Sequence, residues 1–89
     1  MRIADFTTRF RRDLKRQEKR RKDIPKLKAL VKVICRDGDA PLHNRPHNLT
    51  GNYVGWRECH IEPDWLLIYA VDDDSVTFFR TGTHSDLFD

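Results

Sequence analysis

The chain has 89 residues, 35% of them charged, a formal net charge of +3 and only 38% hydrophobic residues. That is enough for one domain, residues 1–89, with a modest core, and no more. The longest apolar run, Trp65 to Val71, is too short to cross a bilayer, and Met1 to Phe10 lacks the apolar region of a signal peptide, so a cytoplasmic protein is expected. Cys35 and Cys59 are too far apart for a C-x-x-C motif and read as reduced thiols; a zinc site is not expected.

The charge is divided along the chain. From Met1 to Arg36 there are fourteen Lys or Arg against four Asp or Glu; from Asp37 to Asp89 there are three against ten. A basic field of that size suits a polyanion such as nucleic acid, or an acidic protein. The plainer alternative is that the cations solvate the outer faces of helices.

Arg2 to Asp5 reads as a short edge strand. Thr7 or Thr8 can cap a helix whose buried stripe, Phe6, Phe10 and Leu14, recurs every four positions. Lys19-Arg20-Arg21-Lys22 closes that helix, where cations oppose the negative end of its dipole. Asp23 is a second N-cap and Pro25 fits the first turn. Ile24, Leu27, Leu30, Val31 and Ile34 give the second helix a broad apolar face that stops before Asp37-Gly38-Asp39. Ala40 to Asn52 reads as a polar loop. Three strands follow, Tyr53 to Ile61, Trp65 to Val71 and Ser75 to Thr83, separated by a bend at Pro63 and by the acidic turn Asp72-Asp73-Asp74. The resulting order is strand, helix, helix, then an antiparallel meander, an α+β domain with a helical hairpin on one sheet face.

Chemistry gathers at His60-Ile61-Glu62-Pro63-Asp64-Trp65 and at Arg80-Thr81-Gly82-Thr83-His84. Strand alternation puts Trp56, Glu58 and His60 on one face, and Phe78, Arg80 and, if the strand continues, His84 on one face. With Asp64 and His47 added, the cluster holds three imidazoles, a carboxylate and a guanidinium. Imidazoles exchange protons near neutral pH, and a guanidinium grips phosphate oxygens. That inventory fits metal-independent cleavage of RNA by its own 2′-hydroxyl, with Trp65 or Phe88 stacking on a splayed base. Plainer roles compete: Trp65 as core, Arg80 as an ion-pair partner of Glu58 or Glu62, Phe88 as a terminal anchor.

The stretches His47-Asn48-Leu49, Gly51, Gly55, Arg57 to Tyr69, and Arg80 to Phe88 with its terminal H-x-x-L-F resemble the YafQ-type branch of the RelE/ParE toxin superfamily. The resemblance implies two helices on a curved antiparallel sheet. It further implies a type II toxin–antitoxin toxin, an endoribonuclease that enters the ribosomal A site and cuts mRNA there without metal or cofactor. Its functional positions fall on His47, His60, Asp64, Trp65, Arg80, His84 and Phe88. The implied roles are His84 as general acid, Asp64 or His47 as general base, Arg80 as phosphate clamp and His60 as an orienting or proton-sharing group, with Trp65 and Phe88 binding substrate. The basic helices would meet ribosomal RNA, an acidic antitoxin segment would cover part of the same surface, and DNA would be reached only through the antitoxin complex. Two rivals remain open: a ParE-like toxin that binds and inhibits DNA gyrase without nuclease chemistry, and a non-catalytic ribosome- or RNA-binding module.

Overall fold

The computed structural model describes residues 1–88. Its elements, in chain order, are β1 (Ile3–Phe6), α1 (Thr8–Lys19), α2 (Ile24–Asp37), β2 (His47–Asn48), β3 (Arg57–Glu62), β4 (Trp65–Val71), β5 (Ser75–Gly82) and α3 (His84–Phe88). The five strands form one sheet in the order β1-β5-β4-β3-β2, parallel between β1 and β5 and antiparallel elsewhere.

Local chemistry sets the helix ends. The Thr7 hydroxyl accepts from the Phe10 amide at 3.0 Å and caps α1, and the Asp23 carboxylate accepts from the Lys26 amide at 3.2 Å and caps α2. Gly38 ends α2 in the left-handed conformation at φ 83°, its N–H returning to the Ile34 carbonyl at 2.8 Å.

Both helices lie on one face of the sheet. Phe10, Leu27, Leu30, Val31 and Ile34 meet Cys59, Ile61, Trp65, Leu67, Tyr69, Val76 and Phe78 in the main core. The other face carries a smaller cluster, Leu66, Ile68 and Leu87, flanked by Leu49, Tyr53, Trp56 and Phe79. β4 therefore buries both of its faces, which is why it reads as a continuous apolar run.

Four expectations are corrected. The strand expected from Tyr53 begins at Arg57, because Gly51–Tyr53 forms a single 3-10 turn. The loop from Ala40 to Asn52 contains β2, whose His47 and Asn48 pair with Glu58 and Arg57. The last strand stops at Gly82 and His84 opens a short helix. Phe78 and Arg80 do not share a face: Tyr69 pairs with Phe78 and Ile68 with Arg80, so Phe79 is the extra residue of a β-bulge. The bulge swings Arg80 to the side of Ile68, away from the helix-covered core that holds Phe78. Asp72 makes the acidic turn, its carboxylate accepting from the Asp74 and Ser75 amides at 2.9 and 2.8 Å. Among the described residues no helix is long and apolar enough to cross a membrane.

Candidate active site

Strand register assembles the site on the sheet face opposite the helices. His47 pairs with Glu58, Glu58 with Ile68, and Ile68 with Arg80, so these four residues form one row across β2, β3, β4 and β5. His60, Leu66 and Gly82 form the next row. The faces of β3 and β5 that carry His60 and Arg80 thus coincide, at a spacing of about 10 Å for two steps across a sheet.

The imidazoles follow one another along this face. His47 and His60 have ring centroids 6.3 Å apart, and His60 and His84 are 6.0 Å apart. Their ring nitrogens are held by specific partners. His47 Nδ1 donates to the Arg45 carbonyl at 3.0 Å, while its Nε2 lies 3.2 Å from Glu58 Oε1. Glu58 is buried, and the same oxygen is 3.9 Å from His60 Nε2. His60 Nδ1 sits 3.2 Å from the Pro63 carbonyl and 3.3 Å from an Arg45 guanidinium nitrogen.

His84 is oriented from the bend between β3 and β4. Asp64 Oδ1 accepts from the His84 backbone N–H at 3.0 Å and from its ring Nδ1 at 2.7 Å. These contacts, the backbone one first, hold the Asp64 carboxyl below its ordinary range. Asp64 thereby orients the exposed His84 ring through Nδ1, and Nε2 takes no part in this pair.

The helix that starts at His84 is closed by reciprocal bonds. Asp86 accepts from the Thr83 amide at 2.9 Å and the Thr83 hydroxyl accepts from the Asp86 amide at 3.1 Å. Arg20 of α1 grips Asp86 with a two-pronged pair at 2.6 and 3.0 Å, which pulls that carboxyl far below its ordinary range. Phe88 closes the row, 43% exposed, 6.4 Å from the His84 ring and edge-on to Tyr53 at 5.3 Å.

Two candidate residues lie differently from expectation. Arg80 pairs neither with Glu58 nor with Glu62. Its Nε and Nη2 donate to the two carboxylate oxygens of Asp13 in α1 at 2.6 and 3.1 Å, and its side chain is 11% exposed. Two of its three nitrogens are therefore already committed. Trp65 is fully buried in the main core, its indole N–H donating to the Thr81 hydroxyl at 3.0 Å. A ring with no exposed face cannot stack on a base, which corrects its assignment to substrate binding. Trp65→Phe is expected to lower stability by about 1–3 kcal/mol through the lost hydrogen bond and volume, while the folded protein keeps its activity. Thermal melting and cleavage assays on the same sample check this; loss of cleavage without loss of stability would restore a substrate role.

Sequence reading passed over two residues. Glu58 had only the strand alternation that placed it beside His60, and its role as the carboxylate between two imidazoles depends on the pairing of β2. Arg45 lay in a segment read simply as loop. Cys59, at zero exposure, has its thiol pushed up to about 12, chiefly by burial, and supplies no thiolate.

Comparison with known proteins gives a consistent picture. Residues 2–89 match the family model for the bacterial toxin of type II toxin–antitoxin system, YafQ. The mRNA interferase toxin YafQ of Escherichia coli K12 is 39% identical over 88 residues, covering 98% of this chain and 96% of that protein. The crystal structure of YafQ from E. coli BL21(DE3) superposes with a TM-score of 0.92 at 37% identity, each chain fully covered. In the E. coli DinJ–YafQ complex the similar chain gives a TM-score of 0.89 at 38% identity, again over the whole of both chains.

Proposed function

Since the chain belongs to the YafQ family of bacterial toxins of type II toxin–antitoxin systems, we propose that it is an mRNA interferase, a ribosome-dependent endoribonuclease that halts translation by cutting mRNA in the A site. The observation that carries this reading is the file of imidazoles on the sheet face opposite α1 and α2, with His60 between His47 and His84. A phosphate seated over His60 has one proton-transfer group on each side, as in-line displacement requires.

In the proposed reaction the His47–Glu58 pair takes the proton from a ribose 2′-hydroxyl. The freed oxygen attacks the adjacent phosphorus, and the bond to the 5′-oxygen breaks as His84 Nε2 delivers a proton to it. The products are a 2′,3′-cyclic phosphate and a 5′-hydroxyl. Asp64 acts through His84, holding the Nδ1–H tautomer and stabilising the ring when it is charged; the commitment of its Oδ1 to the His84 backbone N–H and ring Nδ1 supports this role over that of general base. Phe88, exposed at the end of the row, supplies a face for base stacking. Arg80, with Nε and Nη2 held by Asp13, has only Nη1 left to offer a phosphate oxygen.

The exposed cations of α1 and α2, among them Arg11, Arg12, Lys15, Lys28 and Lys32, suit salt-dependent contact with ribosomal RNA. The same surface suits an acidic segment of a cognate antitoxin, through which alone the protein would reach DNA. The setting is the cytoplasm, where translating ribosomes are. Induced expression followed by mapping of mRNA 5′ ends tests this reading: cuts in register with codons are expected. Growth arrest without cuts would favour a gyrase-binding toxin instead.

A further inference from the structure

We propose that Arg45 binds the RNA backbone beside His60, and that the cleft it borders is a subsite for the phosphate next to the scissile one. This rests on the reading of the chain as an mRNA-cutting enzyme.

The acidic part of the chain, from Asp37 onward, contains three Lys or Arg residues, Arg45, Arg57 and Arg80. Two are locked by carboxylates: Arg57 on Asp39 at 2.7 Å and Arg80 on Asp13 at 2.6 Å. Arg45 is exposed, and among the described residues no carboxylate forms an ion pair with it. Its guanidinium instead meets an imidazole, Nη2 lying 3.3 Å from His60 Nδ1. A guanidinium without a carboxylate, set against a proposed catalytic ring, has its fork of donors free for phosphate oxygens.

The backbone places it there deliberately. Arg45 adopts the left-handed conformation at φ 52°, a region that side chains other than glycine seldom occupy. The turn is pinned on both sides to the histidine row. The Arg45 carbonyl accepts from His47 Nδ1 at 3.0 Å, and the side-chain Nδ2 of neighbouring Asn44 donates to the His60 carbonyl at 2.8 Å. One residue thus orients His47 through its backbone and touches His60 through its side chain.

Beyond His60 the surface opens into a cleft of about 530 Å³, bordered by Lys26, His43, Asn44, Arg45 and Glu62. The carboxylate of Glu62 is already matched by Lys22 at 3.5 Å and Lys26 at 3.6 Å. The cleft therefore carries an excess of positive charge, in a size range that accepts a nucleotide fragment. A strand whose scissile phosphate lies over His60 can place its neighbouring phosphate against Arg45.

The test is single-turnover cleavage of mRNA on programmed ribosomes, with the toxin in excess and its concentration varied. Arg45→Gln is expected to raise the half-saturating concentration roughly 10- to 100-fold, the weight of one charge-assisted hydrogen bond. The limiting rate should stay within a few-fold, as loss of uniform binding predicts. Arg45→Lys should recover most of the affinity. The salt dependence of half-saturation should become shallower by about 0.7 in log–log slope for a lost single-strand contact. Should Arg45→Gln melt early, Lys26→Gln on the same cleft is read in its place, with the same direction expected.

An unchanged half-saturating concentration and salt slope would overturn the subsite. A fallen limiting rate at unchanged half-saturation would overturn it too, placing Arg45 on the reacting phosphate itself. Absence of cleavage by the wild-type chain, with His84→Ala equally inactive, would instead remove the enzymatic reading on which the subsite rests.

Discussion

Replacing His84 by alanine is expected to slow mRNA cleavage by roughly 10²- to 10⁴-fold, the usual weight of a positioned general acid or base. Its stability should change by no more than about 0.5 kcal/mol. The separation follows from geometry. The His84 side chain is 56% exposed and packs into neither core cluster, while its backbone N–H, which Asp64 accepts, survives the substitution. Chemistry and folding are therefore divided at this residue. Single-turnover rates on ribosomes, read beside thermal melts, check the expectation; a variant that cuts at the wild-type rate would remove His84 from the proton-transfer path.

The second large effect concerns stability. Asp13→Ala is expected to cost about 3–5 kcal/mol, because it leaves a nearly buried guanidinium without its anion. Asp13 is 5% exposed, and its carboxylate takes both prongs of Arg80 and the Thr81 amide at 3.2 Å. For a domain of this length such a loss lowers the melting temperature by roughly 12 °C or more. It would also unfasten α1 from β5, the strand that leads into the His84 helix. A shift under about 4 °C would show that the pair contributes little to stability.

The contrast between these two residues says what the sequence could and could not convey. His84 stood in a short run with Arg80 and two threonines, and its chemistry was legible from residue type. Asp13 was hidden, because nothing in a basic amphipathic helix announces a partner 67 positions away. The helices themselves were plain, since Phe10 and Leu14, and Leu27 to Ile34, repeat at helical spacing between identifiable caps. The third helix has five residues, too few for periodicity to speak. Its available signal was the Thr83-x-x-Asp86 spacing, which forms a reciprocal cap.

The bulge at Phe79 defeated strict alternation and hid the fact that Phe78 and Arg80 face opposite ways. Trp65 was ambiguous for a different reason. An indole at the head of an apolar strand serves a core and a base-stacking site equally well on residue type, and only its hydrogen bond to Thr81, buried beneath the helices, decides the matter. Glu58 needed β2, a strand of two residues inside a polar loop, before its place between His47 and His60 could be seen.

The most direct measurement is made on ribosomes carrying mRNA with a single 2′-deoxynucleotide at the cleavage position, compared with the all-ribose message. Attack by the 2′-hydroxyl predicts that the substituted message stays intact at that position, while the ribose message yields a 2′,3′-cyclic phosphate and a 5′-hydroxyl end. Cleavage of the deoxy-substituted message at the same phosphate would contradict the proposed chemistry, because the strand would have been cut without its own nucleophile.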